Sequence, residues 1–151
     1  MEQRVELPSY VTPEYLGSLK LRNGCGSGAD GDRCAIQEVR AWLGLNASID
    51  EIPPCVSRPI GKFVIRLNDA HPIARELLAP YLDKILETSS LDSRRVAFKL
   101  ADFAVREMAP IRLEARGRKD LADQLRALAE IVDYETAKKA QSAAAAAAAA
   151  A

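Results

Sequence analysis

The stretch Arg58–Asp69, RPIGKFVIRLND, carries the strongest amphipathic pattern in the chain. Pro59 can open a helix, because the first helical position does not need an amide hydrogen. Apolar residues then recur at i, i+3, i+4 and i+7, which places them on one face of an α-helix. These residues are Ile60, Phe63, Val64 and Leu67. Asn68 and Asp69 close the pattern, so the stretch predicts an amphipathic helix with one buried face.

Segments of similar period lie on both sides of this helix. We predict further helices over about 33–43, 72–87, 93–108, 120–132 and 134–151. Asp32 is expected to cap the first of these, and Asp133 the last. Pro80 removes a backbone donor from the middle of 72–87, so a kink or a break is expected there. The predicted fold class is mainly α, a small bundle of five to six helices.

Each predicted helix has an apolar stripe that is expected to face the core. In the segment 72–87 the stripe is Ile73, Leu77, Tyr81 and Ile85. In the segment 93–108 it is Val96, Leu100, Phe103 and Ala104. In the segment 120–132 it is Leu121, Leu125, Leu128 and Val132.

The ends of the chain differ from this helical middle. Residues 1–32 show no helical period and are broken repeatedly by proline and glycine, with room for a short β-hairpin between Arg4–Leu7 and Ser18–Arg22. The tract Ala143–Ala151 favours helix but has no side-chain specificity. It is either a low-complexity tail or a run of alanines standing in for unidentified residues. The predicted organisation is a loop-rich N-terminal cap over 1–32, a helical core over 33–133 and an Ala-rich C-terminal helix or tail over 134–151.

Composition narrows the classes of function. Lys+Arg and Asp+Glu are equal at 21 each, whereas a protein that holds nucleic acid mainly through phosphates is usually basic. Met1–Tyr10 has no apolar core of signal-peptide length, and no run outside the alanines is long enough to span a membrane. We therefore expect a cytoplasmic protein with reduced cysteines, no cofactor and no membrane partner.

Three cysteines and the only histidine form a formal Cys₃His set. Its members, Cys25, Cys34, Cys55 and His71, are weak candidates for metal ligands, because structural zinc sites usually supply ligands in close pairs. The gaps here are much longer. The alternative, that Cys34 and Cys55 are small buried apolar residues, is favoured.

Cys34 is also a weak candidate for a nucleophile. It would lie in the first turn of a helix, where the helix dipole favours thiolate. His71 could then be the base, with Asp69 or Asn68 orienting it. Asp30 and Asp32 lie close in sequence and oppose thiolate formation.

Two further patterns concern anions. The glycine-rich run 23–31 precedes a helix, as phosphate-binding loops do, but it lacks their motifs and contains acidic residues, so a surface loop is favoured. The segment 94–119 is the most basic part of the chain, and it holds weak candidates for nucleic-acid contacts. They are Arg94, Arg95, Arg112, Arg116, Arg118 and Lys119. A solvated helix surface is the favoured alternative.

Three motifs together resemble an uncharacterised bacterial and phage-borne protein family. They are the Cys-x-x-x-Glu-x-Val helix starting at Cys34, the Pro-x-Cys-x-x-Pro-x-Ile segment 53–60, and Leu67-Asn68-Asp69. The resemblance covers roughly residues 33–140, and the Ala-rich end is similar to that of family members. The loop before Cys55 is less Asp-rich than in the family. The resemblance implies no established activity, but it indicates a phage or mobile-element origin.

Three hypotheses of function follow. The favoured one is a non-enzymatic helical module that binds a protein partner or self-associates, because no diagnostic catalytic motif is present. The second is a cysteine-dependent enzyme that uses Cys34 and His71. The third is a nucleic-acid-associated protein that uses the basic residues of 94–119.

Overall fold

The computed structural model describes residues 5–151. The fold is mainly α, as predicted, and no β-strand occurs within the described range. The chain divides into two compact units, Met1–Ser93 and Arg94–Ala151, called unit 1 and unit 2 below. This boundary lies within the predicted core of residues 33–133, and the predicted boundaries after residues 32 and 133 stay predictions.

Unit 1 is built around one short, deeply buried helix. Its helices are α1 (Pro13–Ser18), α2 (Ala35–Trp42), α3 (Arg58–Ala70) and α4 (Pro72–Leu78). Two 3₁₀ segments follow α4, at Ala79–Ile85 and Thr88–Ser90. The core of the unit contains Ile36, Val39 and Trp42 of α2, Val64 of α3, and Leu82 and Ile85 of the first 3₁₀ segment. The apolar face predicted for α3 is therefore only partly inside, since Val64 is its one fully buried member.

Unit 2 has its own apolar cluster. Its helices are α5 (Ser93–Asp102), α6 (Ala109–Ala115), α7 (Lys119–Arg126) and α8 (Tyr134–Ala150). The cluster joins α6, α7 and α8 through Leu113, Leu121, Ala122, Leu125 and Ala147. Asp133 caps α8 as predicted, because its carboxylate accepts the Thr136 N–H at 2.8 Å.

A wide turn connects α5 to α6. Phe103–Met108 is π-helical, and the Ala109 N–H donates to the carbonyl of Ala104, five residues back. Pro110 explains this geometry, because its ring would clash with the carbonyl of Arg106 in a regular α-helix. Phe103, the first residue of this segment, is 48% exposed, so its predicted place in the core is wrong.

Several other expectations are also corrected. The predicted hairpin is wrong for the described residues, because Ser18 ends α1 and no strand forms; Arg4 lies outside the described residues.

Asp32 does not cap α2. Cys34 is the N-cap residue, and the Asp32 carboxylate instead accepts the Ser27 N–H and pairs with Arg22. Val132 was expected inside, but α7 ends at Arg126 and Val132 is 57% exposed.

Candidate functional site

Cys34 lies at the start of α2, as the nucleophile hypothesis requires, but it is buried. Its backbone N–H donates to Gln37 Oε1 at 3.0 Å, and the residue is only 4% exposed. Burial raises the pKa of the Cys34 thiol, and the N–H groups of Gln37 and Ile36, which lower it, offset only part of that effect. A buried thiol with a raised pKa is a poor nucleophile.

The other two members of the suggested triad serve local structure. His71 is the N-cap of α4, where its Nδ1 accepts the Ile73 N–H at 3.2 Å. Asp69 Oδ1 accepts the N–H of Gly24 at 2.8 Å and the side-chain amide of Asn68 at 2.9 Å. These contacts give no geometric support to a Cys34–His71–Asp69 triad.

The four suggested metal ligands are not brought together. No group of three or more His, Cys, Asp or Glu side chains within residues 5–151 is arranged to hold a metal ion. Cys25 is exposed, and its Sγ lies 3.8 Å from the carbonyl oxygens of Gly26 and Ser48. Cys55 is half-buried. All three cysteines are free thiols.

The backbone of the glycine-rich loop is hydrogen-bonded to the Gln37 side chain of α2. Gln37 Oε1 accepts the Gly26 N–H at 2.7 Å, and Gln37 Nε2 donates to the Gly26 carbonyl at 2.9 Å. A Cβ on Gly26 would lie 2.0 Å from the carbonyl oxygen of Asp32, so this close approach requires glycine. The N–H groups of Gly24 and Ser27 are also used, by Asp69 and Asp32. The amides that a phosphate cradle would need already have protein acceptors.

A buried carboxylate lies on α2, and sequence reasoning missed it. Glu38 Oε1 accepts the Tyr15 hydroxyl at 2.6 Å and the Trp42 Nε1–H at 3.0 Å, while Oε2 lies 3.5 Å from Arg33. Burial and the hydrogen bond to Glu38 raise the pKa of Tyr15 to about 12. The i, i+4 spacing of Glu38 and Trp42 was the available signal. The cluster is closed and internally satisfied, so its role is to hold α1 against α2.

The structure places the suggested nucleic-acid contacts on α5, on α6 and its C-cap, and at the start of α7. Arg118 forms ion pairs with Asp120 and donates to the carbonyl of Ala150, which caps the end of α8. Lys119 pairs with Asp123 at 2.7 Å. Arg112 and Arg116 are exposed at i, i+4 spacing on α6 and its C-cap, while Arg94 and Arg95 are exposed at the start of α5.

The largest departure from expectation is on α4 and the 3₁₀ segment that follows it. Ile73, Leu77 and Tyr81 were predicted to lie in the core, but they are 59%, 67% and 64% exposed. We call these three residues the α4 strip. Of the predicted stripe, only Ile85 is buried.

The backbone explains why the strip faces outward. Pro80 breaks the helix as predicted, and the segment that follows is 3₁₀, with about three residues per turn. The buried residues accordingly recur every three positions, at Ala79, Leu82 and Ile85. Arg75 donates to the Asn68 carbonyl at 2.8 Å, which turns its own side of α4 toward α3. The strip lies on the other side.

Comparison of the chain with protein-family models, curated protein sequences and solved structures finds no match. Within the described part of the chain, no helix has the length and apolar character needed to cross a membrane.

Proposed function

We propose that this protein is a non-enzymatic protein-interaction module whose partner docks on the α4 strip. One observation carries the proposal: three large apolar side chains are mostly exposed on two consecutive short segments, α4 and the first 3₁₀ segment. Contiguous exposed apolar patches are uncommon on monomeric proteins and often mark interaction sites. Aromatic side chains such as that of Tyr81 are enriched in such interfaces.

The segments that carry the strip are held in place by buried residues and hydrogen bonds. Behind it, Ala79, Leu82 and Ile85 are buried. His71 caps the start of α4, and Arg75 ties α4 to the end of α3. A surface that is fixed before binding loses little conformational entropy when a partner arrives, which favours affinity.

The rival hypotheses have less support in the contacts. The Cys34 thiol is buried, and His71 and Asp69 are engaged in local hydrogen bonds. Of the suggested nucleic-acid contacts, Arg118 and Lys119 are paired with acidic neighbours. The free thiols favour the cytoplasm as the compartment, and the family resemblance adds a phage or mobile-element origin to the proposal.

Site-specific photocrosslinking tests this function. A benzophenone amino acid replaces Leu77 in the full chain, and a matched variant carries it at Lys62, an exposed position on α3. In the cells that make the protein, position 77 should yield a discrete crosslinked protein that position 62 does not. A second substitution, Ile73→Ser, should reduce the yield from position 77 while leaving thermal unfolding unchanged. Equal crosslinking from the two positions, or none from either, would contradict the proposal.

A further inference from the structure

We infer that the α4 strip receives a basic amphipathic helix, a partner with an apolar face flanked by Lys or Arg. This inference rests on the proposed function and adds the chemistry of the partner. Two features support it, the shape of the strip and the charges beside it.

The shape of the strip suits a helix. Ile73 and Leu77 lie one turn apart on α4, so they form a ridge roughly 6 Å long, and Tyr81 follows on the 3₁₀ segment. Ridges of this spacing pack into the grooves between equivalent rows on a second helix. A short apolar face on the partner helix therefore covers these side chains.

The charges beside the strip are acidic. Of the two charged residues on α4, Arg75 is directed to the Asn68 carbonyl, whereas Glu76 is exposed and has no ion-pair partner among the described residues. At the far end, Lys84 pairs with Asp83 at 3.0 Å. Glu76 is therefore an unpaired acidic charge at the edge of the strip, and a cation on the partner would complement it. Residues 1–93 carry 13 acidic and 10 basic side chains, which adds to the same preference.

The same charge disfavours an antiparallel second copy of this chain as the occupant. If two strips packed antiparallel about Leu77, each Glu76 would lie one residue from the symmetry axis, close to the other Glu76. Like charges so near each other at an interface oppose association. A partner with Lys or Arg at that position removes the conflict.

Two synthetic helical peptides separate these possibilities. Both carry the same leucine face, and one is flanked by lysine, the other by glutamate. Binding to the full chain is followed by fluorescence anisotropy of a dye on the peptide. The lysine peptide should bind about three- to tenfold more tightly, and the difference should shrink as salt is raised. Glu76→Lys should reverse the preference, whereas Glu51→Lys, the same charge change at an exposed loop position, should not reverse it. Leu77→Ser should weaken both peptides.

The outcomes distinguish the inference from the proposed function. Equal affinities, tighter binding of the glutamate peptide, or no binding of either peptide would overturn the basic helix, even where position 77 still crosslinks to a protein. Dimers detected by light scattering and abolished by Leu77→Ser would also overturn it and identify a second copy as the occupant. If position 77 crosslinks to nothing, the proposed function itself fails.

Discussion

The helices α2 and α4 of unit 1 reverse the usual relation between polarity and burial. Seven of the eight residues of α2 are buried, and they include Gln37, Glu38 and Arg40. None of the seven residues of α4 is buried, although its sequence contains Ile73 and Leu77. Burial in this unit is therefore decided by the place of the helix in the fold more than by the hydrophobicity of its residues.

Hydrogen bonds offset the cost of burying the polar side chains of α2. Arg40 donates from Nε to the Asn46 carbonyl at 2.6 Å and from Nη1 to the Glu51 carbonyl at 2.8 Å. Gln37 and Glu38 also have partners for their buried polar atoms. Buried polar groups cost little when they are paired in this way. The helix α2 thus organises the loops around it, whereas α4 presents side chains that nothing within the described unit covers.

The largest expected effect comes from matched truncations of the two helices. Ile36→Ala should lower the free energy of unfolding by about 3–4 kcal/mol, because Ile36 is fully buried and its loss leaves a cavity. Leu77→Ala should change it by less than about 0.5 kcal/mol, because that side chain is already in water. Urea denaturation of both variants measures the difference. A cost for Leu77→Ala that approached that of Ile36→Ala would show that α4 is covered in solution and would end the contrast.

The sequence was sufficient for much of the fold. The mainly α class, the helix boundaries near Pro59 and Asp133, and the break at Pro80 follow from local backbone chemistry, and the structure confirms them. Which face of each helix is buried was harder to predict. The predicted stripe assumed one α-helical period over 72–87, but the 3₁₀ segment after Leu78 changes the period from four residues to three. That change depends on packing against the rest of unit 1, which periodicity does not contain.

The candidate site illustrates the same limit. The α4 strip was identified from the sequence as an apolar stripe, but with the wrong orientation. The cluster around Glu38 was missed because Tyr15 is 23 residues away in the chain. Residues 1–32 gave no helical period, so the short helix α1 that delivers Tyr15 was not expected. Its Thr12 cap and the proline that follows were the available signals.

A second comparison concerns the glutamates of the two helices. Glu38→Ala should destabilise the protein by about 3 kcal/mol, because it leaves the Tyr15 hydroxyl, the Trp42 Nε1–H and Arg33 without their shared acceptor. Glu76→Ala should be neutral within about 0.5 kcal/mol. Thermal and urea unfolding of the two variants checks this. If the two variants had equal stabilities, the hydrogen bonds of Glu38 would contribute no more to the stability of the folded protein than the exposed carboxylate of Glu76 does.

The last comparison concerns the Tyr15 hydroxyl, whose contribution to stability changes only at high pH. Burial and the hydrogen bond to Glu38 raise the pKa of Tyr15 from 10.0 to about 12 in the folded protein. The folded state therefore favours the protonated phenol. The stability from this group is complete below pH 10.0 and is lost as the pH rises through about 12. Tyr15→Phe has no proton to lose, so the difference in unfolding free energy between wild type and variant should fall across that window. The tyrosinate absorbance of the wild type minus that of the variant reports the same ionisation directly. A titration of this difference near pH 10 would show that the hydroxyl is not held by Glu38, and that α2 is less closed than its contacts indicate.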